Sequence, residues 1–234
     1  MFDKKMKAVT FSYDDGTIHD ARLVQLFNRY GIKATFHINS GILGSQGTTE
    51  LEGNSVCINR LEAHQIANLY RGHEVAAHTL THPPLIREQD DNKVIFQVEQ
   101  DRLRLSKLCG YEVVGFAYPC RRPNSDERVE RLVREHTGCQ YARSIDFSGT
   151  FDVPADLYHI CPSVYHTHFE DMMMMAEEFL ALKPTKPQIF MIMGHSYELE
   201  LDDRWQKLER FLQYISGKDE VFYGTNRQVF LGVN

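Results

Sequence analysis

Residues 9–39, VTFSYDDGTIHDARLVQLFNRYGIKATFHIN, contain two apolar strands on either side of a helix. Residues 9–13 are rich in β-branched and aromatic side chains and end at Asp-Asp-Gly, a turn signal. From residue 20 to residue 30 the apolar side chains recur at helical spacing, and Gly31 is suited to the left-handed position that closes a helix. Residues 33–39 then form a second predicted strand. A strand, a helix and a strand in this order predict an α/β fold with a parallel sheet.

The same alternation continues along the chain without a break in composition. We predict further helices at residues 60–70, 88–108, 125–136 (with Ser125 as N-cap), 169–182 and 203–215, and further strands at 73–77, 113–118, 140–144, 157–160, 188–193 and 221–225. Residues 40–55 are predicted to form a long loop. Six or seven such units indicate a single domain over residues 1–234, with a sheet that curves toward a barrel.

The composition argues against several classes of function. A hydrophobic content of 42% and a charged content of 25% are those of an ordinary globular protein with enough apolar mass for a core. The net charge of -6, with no basic stripe, argues against nucleic acid as a partner. No apolar run approaches the roughly 20 residues that a membrane-spanning helix needs.

Two further features concern the cellular compartment. The five cysteines are an odd number without a CxxC pair, which fits reduced thiols better than a disulfide framework. The segment from Met1 to Lys7 leads directly into a predicted strand and contains no apolar signal-peptide region. We therefore predict a cytoplasmic location, with a trimmed secreted form as the alternative.

Two histidines four residues apart follow the strand predicted at residues 73–77. If the backbone makes one helical turn, His78 and His82 point the same way. Two imidazoles so placed can chelate one ion, and imidazole suits zinc and its neighbours among the transition metals. Chance spacing among eleven histidines is the alternative explanation.

Two adjacent carboxylates end the first predicted strand. On an extended backbone Asp14 and Asp15 point in opposite directions, so that one can bind an ion with the two histidines while the other faces a substrate or a water. Two histidines and one aspartate leave an open coordination position, as in catalytic zinc sites. A simple strand-ending turn is the alternative interpretation.

A third histidine follows a long apolar strand and Gly194. His195 therefore emerges at the edge of the sheet where parallel α/β folds place their chemistry, which suits a general acid. A buried, hydrogen-bonded structural histidine is the alternative. The polar residues that share this edge of the predicted sheet are Asp14, Asp15, His78, Tyr118, Arg143 and His195.

Three of these stretches together resemble a known family. Tyr13-Asp14-Asp15-Gly16, His78-Thr79-x-x-His82 and Met193-Gly194-His195 resemble, in the same order, the first, second and last motifs of the polysaccharide deacetylases, which are the carbohydrate esterase family 4 or NodB-homology enzymes. The resemblance implies a distorted (β/α) barrel of about seven strands. It also implies metal-dependent hydrolysis of N-acetyl or O-acetyl groups on a carbohydrate.

The resemblance also implies a role for each residue. Asp14 corresponds to the general base and His195 to the general acid, and Asp15, His78 and His82 correspond to the ligands of one divalent ion. Zinc is expected, with cobalt or nickel as alternatives. Such an ion lowers the pKa of its bound water to about 7. The general base takes the remaining proton, and the general acid protonates the departing amine.

The third motif of the family, Arg-x-Pro-Tyr, is changed in this chain. Ala117 stands where the arginine that orients the base is expected, and Cys120 stands where the tyrosine is. A backbone donor for the oxyanion at Cys120 survives this change. We expect Arg143 to orient the base instead, with Arg121 and Arg122 as the next candidates. A surface arginine is the alternative interpretation of Arg143.

Several other residues near these motifs are weaker candidates. The residues predicted to bind or orient the substrate are Arg143, Tyr118, Pro119, Cys120 and Tyr197. The histidines predicted to be structural or exposed are His19, His37, His64, His73, His136 and His159. The stretch Tyr165-His166-Thr167-His168 is expected either to line the mouth of the site or to be solvated.

Two alternatives to a carbohydrate deacetylase remain open. The changed third motif and the missing export signal are compatible with a metal-dependent amidase that acts on a non-carbohydrate amide or a cyclic imide. The missing arginine is also compatible with a sugar-binding module that has lost catalysis. The partner that we predict is an acetylated sugar or oligosaccharide, with no nucleic acid partner and no membrane span.

Overall fold

A parallel sheet runs through the centre of the computed structural model, which describes residues 2–232. The strands are β1 (Lys7–Asp14), β2 (Ala34–Ile38), β3 (Thr48–Leu51), β4 (Asn54–Cys57), β5 (Glu74–Ala77), β6 (Gly115–Ala117), β7 (Tyr141–Arg143), β8 (Val164–Tyr165), β9 (Gln188–Gly194) and β10 (Val221–Tyr223). The α-helices are α1 (Asp20–Arg29), α2 (Ala63–Leu69), α3 (Asp91–Cys109), α4 (Glu127–His136), α5 (Phe169–Ala181), α6 (Arg204–Ile215) and α7 (Asn226–Leu231). None of these described helices combines the length and the apolar character needed to cross a membrane.

The strand order confirms the predicted curled α/β sheet. Seven parallel strands follow one another in the order β7-β6-β5-β2-β1-β9-β8 and form a half-barrel, and β10 adds to β1. One side of β1 pairs with β9 from Lys7 to Tyr13. The other side pairs first with β10 and then with β2. The first strand therefore lies in the middle of the sheet.

Both faces of β1 are buried, because helices cover one face and the half-barrel encloses the other. Val9, Phe11 and Tyr13 belong to the large apolar core between the sheet and the helices. The ring of Phe11 packs 4.9 Å from that of Phe27 in α1. The alternate residues of β1 face the concave side, where Asp14 stands at the open end.

Helix α7 closes the concave side of the half-barrel at the end opposite the carboxyl ends of the strands. Asn226, its first residue, accepts a hydrogen bond from Thr10 (2.8 Å) and donates its backbone N–H to Thr35 (2.8 Å). The buried carboxylate of Glu74 accepts the backbone N–H of the next residue at 2.9 Å. These bonds satisfy polar groups that would otherwise be buried without partners, so α7 completes the interior.

The gap between β7 and β8 is crossed by an irregular segment. The strand predicted at residues 157–160 is wrong as a regular strand, since Ile160 forms only an isolated parallel bridge with Arg143. The strand that reaches the sheet is instead Val164–Tyr165, which the sequence did not predict. Prolines at positions 154 and 162 lack the N–H that a longer ladder would need.

Two other local predictions are corrected by the structure. Residues 40–55 are not a plain loop, because β3 and β4 form an antiparallel hairpin apart from the main sheet. The N-cap of α4 is Asp126, whose carboxylate accepts the N–H of Val129 at 2.8 Å. Ser125 donates instead to the side chain of Glu130 at 2.7 Å.

Candidate active site

A cavity of about 540 Å³ opens at the carboxyl ends of the parallel strands. Its lining contains Asp14, Asp15, His78, His82, Cys120, Arg121, Arg122, Tyr165, His195, Tyr197 and Glu198. Both aspartates, both histidines of the second motif and the late histidine therefore share one enclosed space. This volume is typical of a site for a small ligand.

Three potential metal ligands meet at one wall of the cavity. One donor atom each from Asp15, His78 and His82 lies within 4.8 Å of the other two. The two histidines do not lie on a helical turn, because both belong to an irregular loop after β5. Thr79 and His82 adopt left-handed backbone conformations, with φ of 70° and 60°. This loop, rather than a helix, turns His82 back toward its partner.

The protonation and tautomer of these groups suit a divalent cation. The Nδ1 atom of His78 lies 2.8 Å from the carbonyl oxygen of Ala117, which leaves Nε2 unprotonated toward Asp15. Burial lowers the pKa of His78 to about 3 and also lowers that of His82, so both rings are neutral at neutral pH. Within residues 2–232, no donor makes a well-aligned hydrogen bond to the buried Oδ1 of Asp15, although the Arg60 guanidinium lies within ion-pair distance of it. The site therefore fits an ion held by two imidazoles and one carboxylate.

Neighbouring polar side chains hold this group of ligands in place. Arg60 Nη1 donates to the backbone carbonyl of Asp15 and lies 2.9 Å from its Oδ1. Burial raises the pKa of Asp15, but the neighbouring cationic groups, of which Arg60 contributes most, together outweigh that effect and lower the pKa below its usual value. Asp101 in α3 accepts the backbone N–H of His78 at 2.8 Å. The Sγ atom of Cys120 lies 3.8 Å from His82 Nδ1.

The second carboxylate, Asp14, has a different set of partners. Arg143 Nη2 lies 2.5 Å from both of its carboxylate oxygens, and both side chains are almost fully buried. Burial raises the pKa of Asp14, but the guanidinium of Arg143 contributes most to holding it well below its usual value. In the register of β6 and β7, Arg143 lies directly beside Ala117. A guanidinium therefore reaches Asp14 from the strand next to the third motif.

His37 also contacts Asp14, although the sequence predicted a structural or exposed role for it. The two residues are register partners in β1 and β2, and His37 Nδ1 lies 3.1 Å from Asp14 Oδ1. The imidazole is fully buried. Burial lowers the pKa of His37, so a neutral ring donates this hydrogen bond. One of the possible registers of the two predicted strands places His37 beside Asp14, but the sequence alone does not select that register.

A chain of hydrogen bonds surrounds His195. The hydroxyl of Tyr165 lies 2.8 Å from His195 Nδ1 and donates to Glu198 at 2.7 Å. The same Glu198 oxygen lies 2.8 Å from His166 Nε2 and 3.6 Å from His195 Nδ1. Burial lowers the pKa of His195, but the Glu198 carboxylate outweighs it and raises the pKa to about 9. His195 is therefore a cation at neutral pH.

Gly194 makes this arrangement possible. A Cβ atom at position 194 would meet His166 Cδ2 at 2.1 Å, so any other residue would displace that ring. His166 is fully buried, and its Nδ1 lies 3.0 Å from the hydroxyl of Tyr13. Nothing in the sequence marked Glu198 as part of the site, because its contact with His195 arises only from the fold. Of the stretch 165–168, for which a place at the mouth of the site was one expectation, Tyr165 lines the cavity, whereas His166 lies buried behind Glu198.

The residues predicted to contact the substrate fall into two groups. Cys120 and Tyr197 line the cavity, and the ring of Tyr197 lies 5.2 Å from that of His195. Pro119 is buried and is not part of the lining. Tyr118 borders the cavity but is fully buried, and its hydroxyl donates to the carbonyl of Tyr158 at 2.9 Å. The phenol of Tyr118 is therefore committed to the core.

The rim of the cavity carries apolar side chains and a hairpin. Leu51 of β3, Ile145 and Phe147 belong to the lining. The hairpin is tied down by Arg204, whose guanidinium lies 2.6 Å from a carboxylate oxygen of Glu52. The same guanidinium donates at 3.3 Å to the carbonyl of residue 198, next to His195. Arg204 thus links the hairpin to the 3₁₀ segment that follows His195.

Comparison with known proteins gives two findings. A family model described as polysaccharide deacetylase matches residues 2–141. None of the curated proteins compared with the chain matches it.

Solved structures show the same fold over nearly the whole chain. Puue allantoinase has 13% sequence identity and a TM-score of 0.72, with 97% of this chain and 90% of that chain covered. A probable polysaccharide deacetylase from Pseudomonas aeruginosa PAO1 has 15% identity and a TM-score of 0.69, with 97% and 90% covered. A family 4 acetyl xylan esterase from Clostridium thermocellum, in complex with a cobalt ion, has 14% identity and a TM-score of 0.61, with 97% and 93% covered.

Proposed function

Because the chain belongs to the polysaccharide deacetylase family, we propose that it is a metal-dependent hydrolase that removes N-acetyl or O-acetyl groups from a carbohydrate. One observation carries the proposal. The three donor atoms of Asp15, His78 and His82 converge in the cavity that Asp14 and His195 also line. Ligands, a base and an acid are the minimum set for hydrolysis of an amide or ester by activated water.

Asp15, His78 and His82 are the proposed metal ligands. A divalent cation held there, zinc with cobalt or nickel as alternatives, supplies a Lewis acid that polarises the acyl carbonyl and makes water more acidic. Two neutral imidazoles and one carboxylate leave part of the coordination sphere open. The hydrogen bond from His78 to Ala117 fixes the tautomer that ligation needs.

Asp14 is the proposed general base. It is ionised at neutral pH because Arg143 and His37 stabilise its charge inside the protein. The same two contacts fix the direction of its carboxylate, so that it can accept a proton from water attacking the acyl carbon. Arg143 and His37 act on the reaction through Asp14, and both are proposed as positioning residues.

The new bond joins the water oxygen to the acyl carbon, and negative charge develops on the former carbonyl oxygen. We place the backbone N–H of Cys120 as a donor to this oxygen, in addition to the Lewis acid. His195 then donates its proton to the sugar nitrogen as the carbon–nitrogen bond breaks. Acetic acid and the free amino sugar result, with the base protonated and the acid neutral, and the acetic acid then ionises to acetate. For an acetyl ester the leaving atom is oxygen.

The test combines metal analysis with acetate release. Protein loaded with zinc is assayed on acetylated glucosamine oligomers and on acetylated xylose, and its metal content is measured. We expect about one metal ion per chain, turnover that a chelator abolishes, and losses of at least 100-fold in the Asp14→Asn and His195→Ala variants. Full turnover in both variants would show that these roles are wrong.

The assay also separates the two alternative functions. Hydrolysis of succinimide or of a linear non-carbohydrate amide, without hydrolysis of any acetylated sugar, would replace the proposal by an amidase. Sugar binding without turnover on any acylated compound, in metal-loaded protein, would replace it by a sugar-binding module. Turnover of acetylated sugars with the expected metal dependence supports the proposal as stated.

A further inference from the structure

The cavity lining has no carboxylate left to balance a further positive charge. Each carboxylate of the lining already has a cation beside it: Asp14 has Arg143, Asp15 has Arg60, and Glu198 has the protonated His195. These pairs leave no negative charge in the lining to neutralise a further cation. Any cation beyond them gives the cavity a positive potential, and a divalent metal ion adds to it.

Two arginines follow Cys120 at the mouth of the cavity, and they differ in whether a carboxylate pairs with them. Arg122 Nε lies 2.8 Å from a carboxylate oxygen of Asp146, and its guanidinium stacks 5.5 Å from the ring centre of Phe147. Arg121 lines the same cavity, yet within residues 2–232 no carboxylate lies within ion-pair distance of its guanidinium. Arg121 is therefore the surplus cation of the site.

We propose that Arg121 binds an anionic group of the substrate, so that the acylated compound hydrolysed here is an acidic one. This inference rests on the proposed deacetylase function and narrows its substrate class. The guanidinium presents a planar fork of donors that matches carboxylate and phosphate alike. The anion is therefore a carboxylate or a phosphate on the same molecule as the scissile acyl group.

The position of Arg121 fits this role. The preceding residue, Cys120, places its Sγ 3.8 Å from His82 Nδ1, so Arg121 follows directly after the metal-binding wall. Leu51 and Phe147 add apolar surface to the lining. A cavity of about 540 Å³ holds a compact ligand whose acyl group is at the metal ligands and whose anion is at the mouth.

The test uses three sugars that share one acetamide and differ in charge. Zinc-loaded protein is assayed for acetate release from N-acetylglucosamine, N-acetylglucosamine 6-phosphate and N-acetylmuramic acid, and the binding of the two acidic sugars is measured by calorimetry. We expect kcat/KM to be higher for an acidic sugar than for the neutral one. For each acidic sugar we take the ratio of its kcat/KM to that of the neutral sugar. In Arg121→Gln this ratio should fall on the order of tenfold for the preferred acidic sugar, and the Kd of that sugar should rise by a similar factor.

The matched control is Arg131→Gln, which removes one exposed positive charge from α4, outside the cavity lining. It should leave the ratio and the Kd as they are in the wild-type protein. Raising the salt concentration should reduce the preference of the wild type more than that of Arg121→Gln. If Arg121→Gln lowers the ratio for N-acetylglucosamine 6-phosphate, the anion is a phosphate. If it lowers the ratio for N-acetylmuramic acid, the anion is a carboxylate.

The outcomes distinguish this inference from the function on which it rests. If acetate is released but Arg121→Gln changes neither ratio nor Kd, or if the wild type binds neither acidic sugar, the anion site is overturned and the deacetylase stands. If no sugar is hydrolysed while the Kd still depends on Arg121, the anion site stands and the deacetylase is overturned.

Discussion

The charge of Glu198 should determine the pH range in which the enzyme works. Glu198 lies 3.6 Å from His195 Nδ1 and is bridged to it by the hydroxyl of Tyr165. With the carboxylate present, the pKa of His195 is raised to about 9. A general acid must be protonated before the reaction, so activity should be constant below this value and be lost as the pH rises through it.

The substitution Glu198→Gln removes the charge and keeps the shape of the side chain. The pKa of His195 should then fall toward about 6.5, the ordinary value for histidine. At pH 8 the protonated fraction would fall from about 0.9 to about 0.03, which predicts a loss in kcat/KM of roughly 30-fold. At pH 6 the same calculation gives a loss of less than about 1.5-fold. The defect should therefore be large in alkaline buffer and small in acid.

The assay is acetate release from an acetylated glucosamine oligomer between pH 5 and pH 10, with kcat/KM fitted to the pKa values of the free enzyme. Glu200→Gln is the matched control, since Glu200 lies in the same 3₁₀ helix (Ser196–Glu200) but pairs with His19 at 3.1 Å. An alkaline limb that stays near pH 9 in Glu198→Gln would refute the assignment of His195 as the acid tuned by this carboxylate. A uniform loss at all pH values would refute it equally.

Three further predictions concern the base and the metal ligands. Arg143→Leu should lower the free energy of unfolding by about 3–5 kcal/mol in denaturant titrations, because Asp14 is left buried without its cation, and adding Asp14→Asn should recover most of that loss; additive losses would contradict the pairing. His78→Ala should reduce the bound metal found by elemental analysis to background, and a chelator should lower the melting temperature of the wild type but not of this variant; retained metal would exclude His78 as a ligand. His37→Phe should lower kcat at least tenfold with little change in KM, and His37→Asn should restore part of kcat by returning a donor to Asp14; equal turnover in the two variants would argue against positioning through this hydrogen bond.

The sequence was sufficient for the fold because the strands of a parallel sheet are buried on both faces. The apolar segments at β1, β2, β5 and β9 stand out for that reason, and each ends in a turn signal or a polar residue. The carboxyl ends of parallel strands meet at one edge, so Asp14, His78 and His195 could be expected together. Arg143 could be named as a candidate on the same ground.

The other residues of the site could not be predicted from the sequence, because their positions depend on the strand register and on the paths of the loops. Whether His37 or another residue lies beside Asp14 is fixed by a one-residue choice of pairing, which periodicity alone does not determine. Arg60 and Glu198 come from an irregular connection and a short 3₁₀ helix, whose paths follow from tertiary contacts. The left-handed backbone conformations of Thr79 and His82 could not be predicted either, since the local propensity of these residues does not favour them.

The central place of β1 in the sheet has a consequence for the order in which the molecule can assemble. Its neighbours β9 and β10 begin at Gln188 and Val221, near the other end of the chain. A ribosome that has released only the first half of this sequence exposes β1 with one edge unpaired and its inner face uncovered. Because such distant pairing must await synthesis of the partner strands, folding of this domain should be slow, and nascent chains should depend on chaperones to protect that edge until then.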